Sequence, residues 1–433
     1  MLRGPRSALA VLVAAGALVT PLIASMPAFA AAQPSGDFLV NVHPLAHQAP
    51  AGLAAKPSMT AQGCLDSTSG VFACQSPSDI AKAYNIPARV NGDVAGTGQT
   101  IVIVDAFGSP TAESDLKTFS DTFDLPQATL TTYYPSGKPT FHGTANQIGW
   151  AEETSLDLQW AHAVAPAAHL ALVVAPTNYG SALNNAEQYA VSHHLGNVMS
   201  MSFGSPEAGV KGDNAQILQA HKIYQQARAA GITVFASSGD SGSDNNTGSA
   251  NFAFPAADPL VTAVGGTDLW ANTTLEFTRG GRETVWGDFA SCATTSCAFG
   301  PLGETGGAPS LYTGKPGSDV SYNASVYTGV LTYLGFLGGT NNGFYFFGGT
   351  SASSPQWAAA TALMDQAAGA PLGYIRDRLA GWSTAGLLHD VTVGVNSTPT
   401  YPKDFQATSG YDIPTGWGTP DVGALIHNIN PSA

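Results

Sequence analysis

The chain has 433 residues and a formal charge of −14 at neutral pH, yet only 11% of its residues are charged. A thinly charged, acidic surface excludes a nucleic-acid partner, whose phosphates need a basic face. It suits acid conditions, because few lysines and arginines limit positive self-repulsion once the carboxylates protonate.

Arg3 and Arg6 precede an apolar stretch from Ala8 to Ile23, and Ala28-Phe29-Ala30 follows as a small-x-small cleavage signal. Residues 1–30 therefore read as an export signal, with Pro21 and Pro27 interrupting any membrane anchor. Its removal takes two arginines and moves the charge from −14 to −16. The mature chain is expected to be secreted and extracellular, without a membrane partner, since no later run is long and apolar enough to span a bilayer. The four cysteines fall in two close pairs, Cys64 with Cys74 and Cys292 with Cys297. In an exported chain these predict two short-loop disulfides, whereas zinc would want tighter spacing and histidine partners.

Residues 31–75 are rich in Ala, Pro, Gly and Ser without sustained period, which predicts a loosely ordered extension or remnant prosegment, and 76–433 form the main domain. A β-branched run at 100–104 predicts a strand, and Leu116, Phe119 and Phe123 share one face of a following helix. The alternation continues with a helix at 151–163, a strand at 169–175, a helix at 183–194 and a strand at 197–203. Next come a helix at 214–230, with Ile217, Leu218 and Tyr224 inward, and a strand at 232–237. Such succession implies right-handed crossovers and a parallel sheet covered on both faces. Beyond residue 266 the pattern loosens into short strands and Gly-rich loops until Ser351 opens a long apolar helix reaching about residue 368. The fold class is α/β: a three-layer αβα sandwich with a mainly parallel central sheet. Functional groups of such sheets gather at the carboxyl ends of the strands.

Four candidate sites stand there. Gly348-Gly349-Thr350-Ser351 sets a serine between glycines and a helix amino terminus, which would favour a developing negative charge and is equally the place of an ordinary N-cap. Glu153 and Asp157, four apart, stack two carboxylates on one helical face, where burial with a shared proton competes with a solvated pair. Asp240, in Ser238-Gly239-Asp240-Ser241-Gly242, is a turn former or a group aimed into a crevice. Asp390-Val391 and Thr408-Ser409-Gly410-Tyr411-Asp412 offer two carboxylates and a glycine-bearing backbone, suited to an oxygen-only calcium cage or to plain loop capping.

Together these pieces resemble one family, the sedolisins or serine-carboxyl peptidases, which have a subtilisin-like fold without its catalytic histidine. Gly349-Thr350-Ser351-Ala352-Ser353-x-Pro355 is similar to that family's nucleophile motif, Glu153-x-x-Leu156-Asp157 to its acid-pair helix, and Gly239-Asp240-Ser241-Gly242 to its oxyanion turn. Gly265-Gly266-Thr267, Glu283-Thr-Val-Trp286 and Asp319-Val-Ser321 follow in order. The resemblance implies a peptidase acting at acid pH on protein or peptide substrates as a monomer. Ser351 would be nucleophile, Glu153 base, Asp157 its support and Asp240 a protonated oxyanion donor, with an acyl-enzyme formed on the way. It also implies one structural calcium on the side chains of Asp390 and Asp412 and the carbonyls of Val391, Thr408 and Gly410. The chain departs from the family in three ways. Fewer than about fifty residues separate the signal from the domain, Phe203 stands where several members have tryptophan, and Asp105 where some have glutamate.

Two other readings compete. One is an ordinary subtilisin with Asp105, His142 and Ser351 as triad; against it, no apolar helical pattern directly follows His142, and the position of the oxyanion asparagine holds Asp240. The other is an inactive binding protein on the same fold.

Overall fold

The computed structural model describes residues 37–42, 44–49, 60–210, 214–276, 278–294, 297, 299–401 and 405–433. All belong to one unit, Gly36–Ala433, and the expected export signal lies outside them. The strands used below are, in chain order, β1 (Leu45–Gln48), β2 (Thr100–Ala106), β3 (Thr129–Tyr133), β4 (His169–Ala175), β5 (Val198–Met201), β6 (Thr233–Ser237), β7 (Thr262–Leu269), β8 (Glu283–Val285), β9 (Val320–Asn323), β10 (Val330–Leu334) and β11 (Gly343–Gly348). The helices are α1 (Ala112–Thr122), α2 (Ala145–Val164), α3 (Gly180–Ser192), α4 (Ala215–Ala229) and α5 (Thr350–Ala368).

Among the described residues an eight-stranded sheet runs β8-β7-β6-β5-β2-β4-β3, with β9 also paired to β7. Every pairing in it is parallel except β7 with β8. The fully apolar runs of β2 and β4 divide by the pleat, because successive side chains point to opposite faces. Ile101, Ile103, Leu170, Leu172 and Val174 enter the core shared with α2 and α5. Val102, Val104, Ala171 and Val173 enter the core beneath α3 and α4. Asp105, two residues after Ile103, consequently falls on the α2 and α5 face. This is the three-layer arrangement expected from the sequence.

Helix α5 is buried at every residue from Thr350 to Ala367. A helix apolar all round lies inside the molecule, and this one packs against α2, β5, β6, β7 and β9. Helix α2 begins six residues earlier than the apolar pattern predicts, because the Thr144 hydroxyl caps it by accepting the Gln147 N–H. It therefore follows His142 almost at once, contrary to the expectation that no helix would. Gln159 fixes it laterally, donating to the Tyr333 carbonyl at 2.8 Å and accepting the Tyr333 N–H at 2.8 Å.

Both predicted disulfides are formed, Cys64–Cys74 and Cys292–Cys297. The stretch 31–75, expected to be irregular, supplies regular elements where it is described: a short helix, Ala61–Ser67, and β1. Strand β1 pairs antiparallel with β11, Leu45 opposite Gly348 and Gln48 opposite Tyr345. The partner strand, some three hundred residues away in the chain, is what orders it. In α4 the expected inward set needs one correction: Tyr224 is buried, but Leu218 is 50% exposed. Replacing Leu172, 1% exposed, by alanine should cost about 2–5 kcal/mol in urea unfolding, whereas Leu218→Ala should change it by less than about 0.5 kcal/mol.

Candidate functional site

The strands of the large sheet deliver side chains to one edge. Asp105 stands near the carboxyl end of β2, Ser202 directly follows β5, and Asp240 follows β6 by three residues. Ser351 occupies the first turn of α5, and Glu153 and Asp157 lie one turn apart on α2. Asp105, Glu153 and Asp157 are each 0% exposed, and Ser351 is 8% exposed.

Neither oxygen of Asp105, neither oxygen of Glu153, nor Oδ2 of Asp157 has a hydrogen-bond partner of normal geometry. Burial raises Glu153 well above the ordinary carboxylate range, and the charge of Asp105 adds to it, with Asp240 and Glu152 behind. Burial also raises Asp157 strongly, with Asp105 and Glu153 contributing, while the Ser202 hydroxyl opposes the rise. Asp105 is pushed up to about 7 by burial. No cation figures among these influences. Carboxyls in that situation keep protons and share them, since uncompensated buried charges repel and lose their hydration.

The Ser351 hydroxyl lies close enough to Glu153 to favour its ionised form, though no hydrogen bond of normal length and angle joins them. The Ser351 Oγ contact that does close is a long one, 3.5 Å to the Ser202 carbonyl. Nor does a hydrogen bond join Glu153 to Asp157, the contact by which Asp157 was expected to hold its neighbour. Asp157 Oδ1 instead meets the Ser202 hydroxyl at 2.7 Å, a residue that sequence reasoning missed. The same hydroxyl lies 3.2 Å from the Ser351 carbonyl. That carbonyl is available because Pro355, inside α5, has no N–H to complete the i→i−4 bond. A hydroxyl has one proton for two acceptors. Both contacts of the Ser202 hydroxyl are hydrogen bonds when Asp157 is protonated and donates to Ser202, which then donates to the Ser351 carbonyl.

Asp240 is tied to the Gly349–Ser351 turn. The Thr350 N–H donates to its Oδ1 at 2.7 Å and the Thr350 hydroxyl to the same oxygen at 2.8 Å. Its Oδ2 lies against Gly349. A Cβ at Gly349 would meet that oxygen at 2.7 Å, and φ there is +99°, so the position excludes a side chain twice over. His142 is exposed, and its backbone N–H donates to Gln147 Oε1 at 2.7 Å. Among the described residues no imidazole is hydrogen-bonded to Ser351 or Asp105.

The segment around β1 completes this edge. Asn41 bridges Gly204 and Leu39 bridges Tyr179, both antiparallel. Val40 N–H donates to the Asn178 carbonyl at 2.9 Å, and the Ser205 hydroxyl to the Leu39 carbonyl at 3.1 Å. Residues 37–42 thus lie as a strand between the loops that follow β4 and β5. Leu45 then joins Gly348, three residues before Ser351. Between those anchors Val42 and Pro44 pass beside Gly149, one helical turn before Glu153. Sequence reasoning missed this strap because nothing local to residues 37–49 specifies its distant partners.

The other motif residues serve the frame. Glu283 accepts hydroxyls from Tyr84 at 2.6 Å, Thr267 at 3.0 Å and Thr419 at 2.6 Å. Asp319 is gripped by Lys315 at 2.8 Å and Arg376 at 2.6 Å. Near the C-terminus the Gly410 N–H donates to Asp390 Oδ2 at 2.9 Å, and the Thr408 N–H to Asp412 Oδ2 at 3.1 Å. Burial raises Asp412 to about 6, and the charge of Asp390 contributes. The two carboxylates therefore stand near each other with the Thr408–Gly410 backbone beside them. Among the described residues no group of three or more His, Cys, Asp or Glu side chains is placed to hold a metal, so a cage here would have to rest on two carboxylates plus carbonyl oxygens. That donor set is all oxygen, which fits calcium.

The fold and this edge define an α/β chain of the subtilisin class in which carboxyls, not an imidazole, surround the serine at the head of a buried helix. A family model described as the subtilase family matches residues 118–374. Kumamolisin of Bacillus sp. (strain MN-32) is 32% identical over 372 residues, covering 82% of this chain and 64% of that protein. Sedolisin of Pseudomonas sp. (strain 101) is 33% identical over 270 residues, covering 56% and 42%. A solved structure of Pseudomonas sedolisin, a serine-carboxyl proteinase complexed with pseudo-iodotyrostatin, superposes with TM-score 0.67 at 27% identity, covering 83% of this chain and 98% of that one. The chain belongs to the subtilase family and, within it, to the sedolisins. It spans less than two thirds of the length of those two curated relatives.

The buried acids make stability depend on pH in an unusual direction. Asp105, Glu187 and Asp365 are each raised to about 7 by burial, but ionise near pH 4 in an unfolded chain. Folding therefore favours their protonated forms. The stability they lend is fully present below about pH 4 and is lost as the pH rises through about 7, each group contributing at most about 1.4 kcal/mol per pH unit. Thermal unfolding of a Ser351→Ala variant should show a midpoint that falls from pH 4 to pH 8; a flat or rising midpoint would contradict the burial of uncompensated acids.

Proposed function

We propose that the chain is a secreted serine-carboxyl endopeptidase that hydrolyses peptide bonds in acid through Ser351, Glu153 and Asp157. The observation that carries this reading is the placing of Ser351 at the amino end of α5 against a buried carboxyl cluster, with no imidazole bonded to it among the described residues. Family membership and the two disulfides of an oxidising compartment support it.

In this reading Ser351 Oγ attacks the carbonyl carbon of the bond to be cut, and its proton passes to Glu153. Glu153 hands that proton to the departing amine, leaving an acyl-enzyme. Water then attacks the acyl carbon and gives a proton to Glu153, which returns it to Ser351 as the acid product leaves. Asp105 and Asp157 hold protons, so that one negative charge serves the cluster without repulsion. Asp240 acts on the oxyanion. Thr350 occupies its Oδ1 with two donors, so its proton belongs on Oδ2, from which it can be donated. The Ser351 amide, in the first helical turn where no i−4 acceptor exists, is a second donor.

Asp240 donates only while protonated, which ties activity to acid. Hydrolysis of a denatured protein from pH 2 to 8 should be greatest in acid and fall away before neutrality, yielding internal fragments. Ser351→Ala should abolish it, Glu153→Gln should reduce it roughly a hundredfold or more, and His142→Ala should leave it intact. A plateau through neutrality, or loss of activity in His142→Ala, would overturn the reading.

The same proposal places one structural calcium on the side chains of Asp390 and Asp412 and the backbone carbonyls of Val391, Thr408 and Gly410, with water completing the shell. Bound there, the ion would neutralise two neighbouring carboxylates and pin the C-terminal loops. Added calcium should raise the unfolding midpoint of the protein and chelator lower it. Asp412→Asn should remove that response, and a midpoint indifferent to calcium counts against the site.

A further inference from the structure

The turn that carries Asp240 is held from behind by a strand almost bare of side chains. The Gly306 N–H donates to the Gly239 carbonyl at 2.6 Å, the Glu304 N–H to the Asp240 carbonyl at 3.1 Å, and the Gly242 N–H to the Glu304 carbonyl at 3.2 Å. Backbone lies directly on backbone here, since a Cβ at Gly306 would collide with the Ser238 carbonyl oxygen. Gly307 follows with φ at +122°. Two successive glycines let the strand reach the turn, but they leave it with the widest backbone freedom and nothing of its own to pack.

Asn396, from the C-terminal part of the chain, makes good that loss. Its side-chain amide donates to the Thr305 carbonyl at 3.2 Å and to the Gly307 carbonyl at 3.0 Å, gripping the strand on either side of Gly306. Its backbone carbonyl accepts the Ser243 N–H at 3.0 Å, at the far end of the Asp240 turn. The residue is 0% exposed. Its amide oxygen closes no hydrogen bond, so the side chain works purely as a double donor. The segment around it is anchored in turn. The Val285 N–H donates to the Val393 carbonyl at 2.8 Å, and Val395 bridges Gln406. Two residues beyond Asn396 the Thr398 hydroxyl donates to Asp244 Oδ1 at 2.9 Å, and the Thr398 methyl fills the space that a side chain at Gly242 would need.

Resting on the peptidase reading, we propose that Asn396 is a positioning residue for the reaction, which holds the Asp240 turn where its carboxyl meets the oxyanion and so governs turnover from behind the active site. Its hydrogen bonds go to Thr305, Gly307 and Ser243, and it acts through the turn rather than on the substrate. Stabilising an oxyanion depends on donors already in place, and a displacement of about 1 Å costs up to roughly a hundredfold in rate. A substrate not yet attacked carries no such charge, so its binding is indifferent to where the Asp240 carboxyl stands.

The test is a double-mutant cycle on the full-length protein at acid pH, with Asn396→Ala, Asp240→Ala and the two combined. Asn396→Ala should lower kcat roughly tenfold or more while KM changes by less than about twofold. In the Asp240→Ala background the same substitution should change kcat by less than about twofold. An equal loss in both backgrounds means that Asn396 merely supports the fold, and it overturns the positioning role; so does an unchanged kcat in Asn396→Ala. Should Asn396→Ala not fold, Asn396→Asp replaces it in the cycle, having the same shape and at most one donor in acid.

Binding supplies the same cycle where hydrolysis in the Asp240→Ala background is too slow to follow. A peptide aldehyde adds to Ser351: Oγ bonds to the aldehyde carbon, and the hydroxyl proton ends on the former carbonyl oxygen, which takes the oxyanion's place. The matching peptide alcohol cannot do so. By fluorescence anisotropy the aldehyde-to-alcohol affinity ratio should fall roughly tenfold in Asn396→Ala and move by less than about twofold in the Asp240→Ala background. Such a ratio within one variant does not depend on how much of it is folded. A wild type that neither hydrolyses peptides nor favours the aldehyde sinks the peptidase reading itself, whereas normal wild-type hydrolysis with an unmoved ratio in Asn396→Ala sinks the positioning role alone.

Discussion

Three carboxyl groups buried without a cation beside them among the described residues are the constraint around which the rest of this protein is arranged. Asp105, Glu153 and Asp157 come from a strand and a helix on the same face of the sheet, and all are sealed from solvent. An ionised carboxylate loses its hydration there, and its neighbours cannot ionise beside it. The cluster is therefore a store of protons held at the carboxyl edge of a parallel sheet, beside the first turn of a buried helix. Tight packing keeps it so, with α5 enclosed on all sides and α2 locked to β10 through Gln159.

The serine is fitted to this store by devices that are chemical rather than merely spatial. Pro355 withholds one intrahelical hydrogen bond, which frees the Ser351 carbonyl for Ser202, and Ser202 in turn reaches Asp157. Gly349 lets the Asp240 carboxyl approach the turn, and Thr350 pins one oxygen of that carboxyl with two donors. The motif that looks like a string of small residues is a set of separate permissions. Each removes a side chain or a donor that would block a neighbour.

The carboxyl edge also explains why the chain's own N-terminal segment folds where it does. The loops after β4 and β5 present open backbone groups, and such rims pair with any extended chain that reaches them. Residues 37–42 do so from within the molecule, and β1 pairs along β11 as far as Gly348, three residues before Ser351.

Much of this was legible in the sequence. The β-branched runs at 100–104 and 169–175 set strands buried on both faces, and the i, i+4 spacing of Glu153 and Asp157 set two acids on one helical face, because both signals depend only on local backbone geometry. The Gly349–Ser351 turn and the two cysteine pairs were equally local. Position along the chain could not say that Leu218 faces water, that Ser202 links the acid pair to Ser351, or that Asp105 joins the cluster rather than a histidine. Nor could it say that residues 37–42 pair with the loops after β4 and β5 and that Leu45–Gln48 pairs with β11. Those outcomes depend on which surfaces meet after the chain has folded back over hundreds of residues, and only tertiary packing decides which polar atoms lose water and which neighbours they then find.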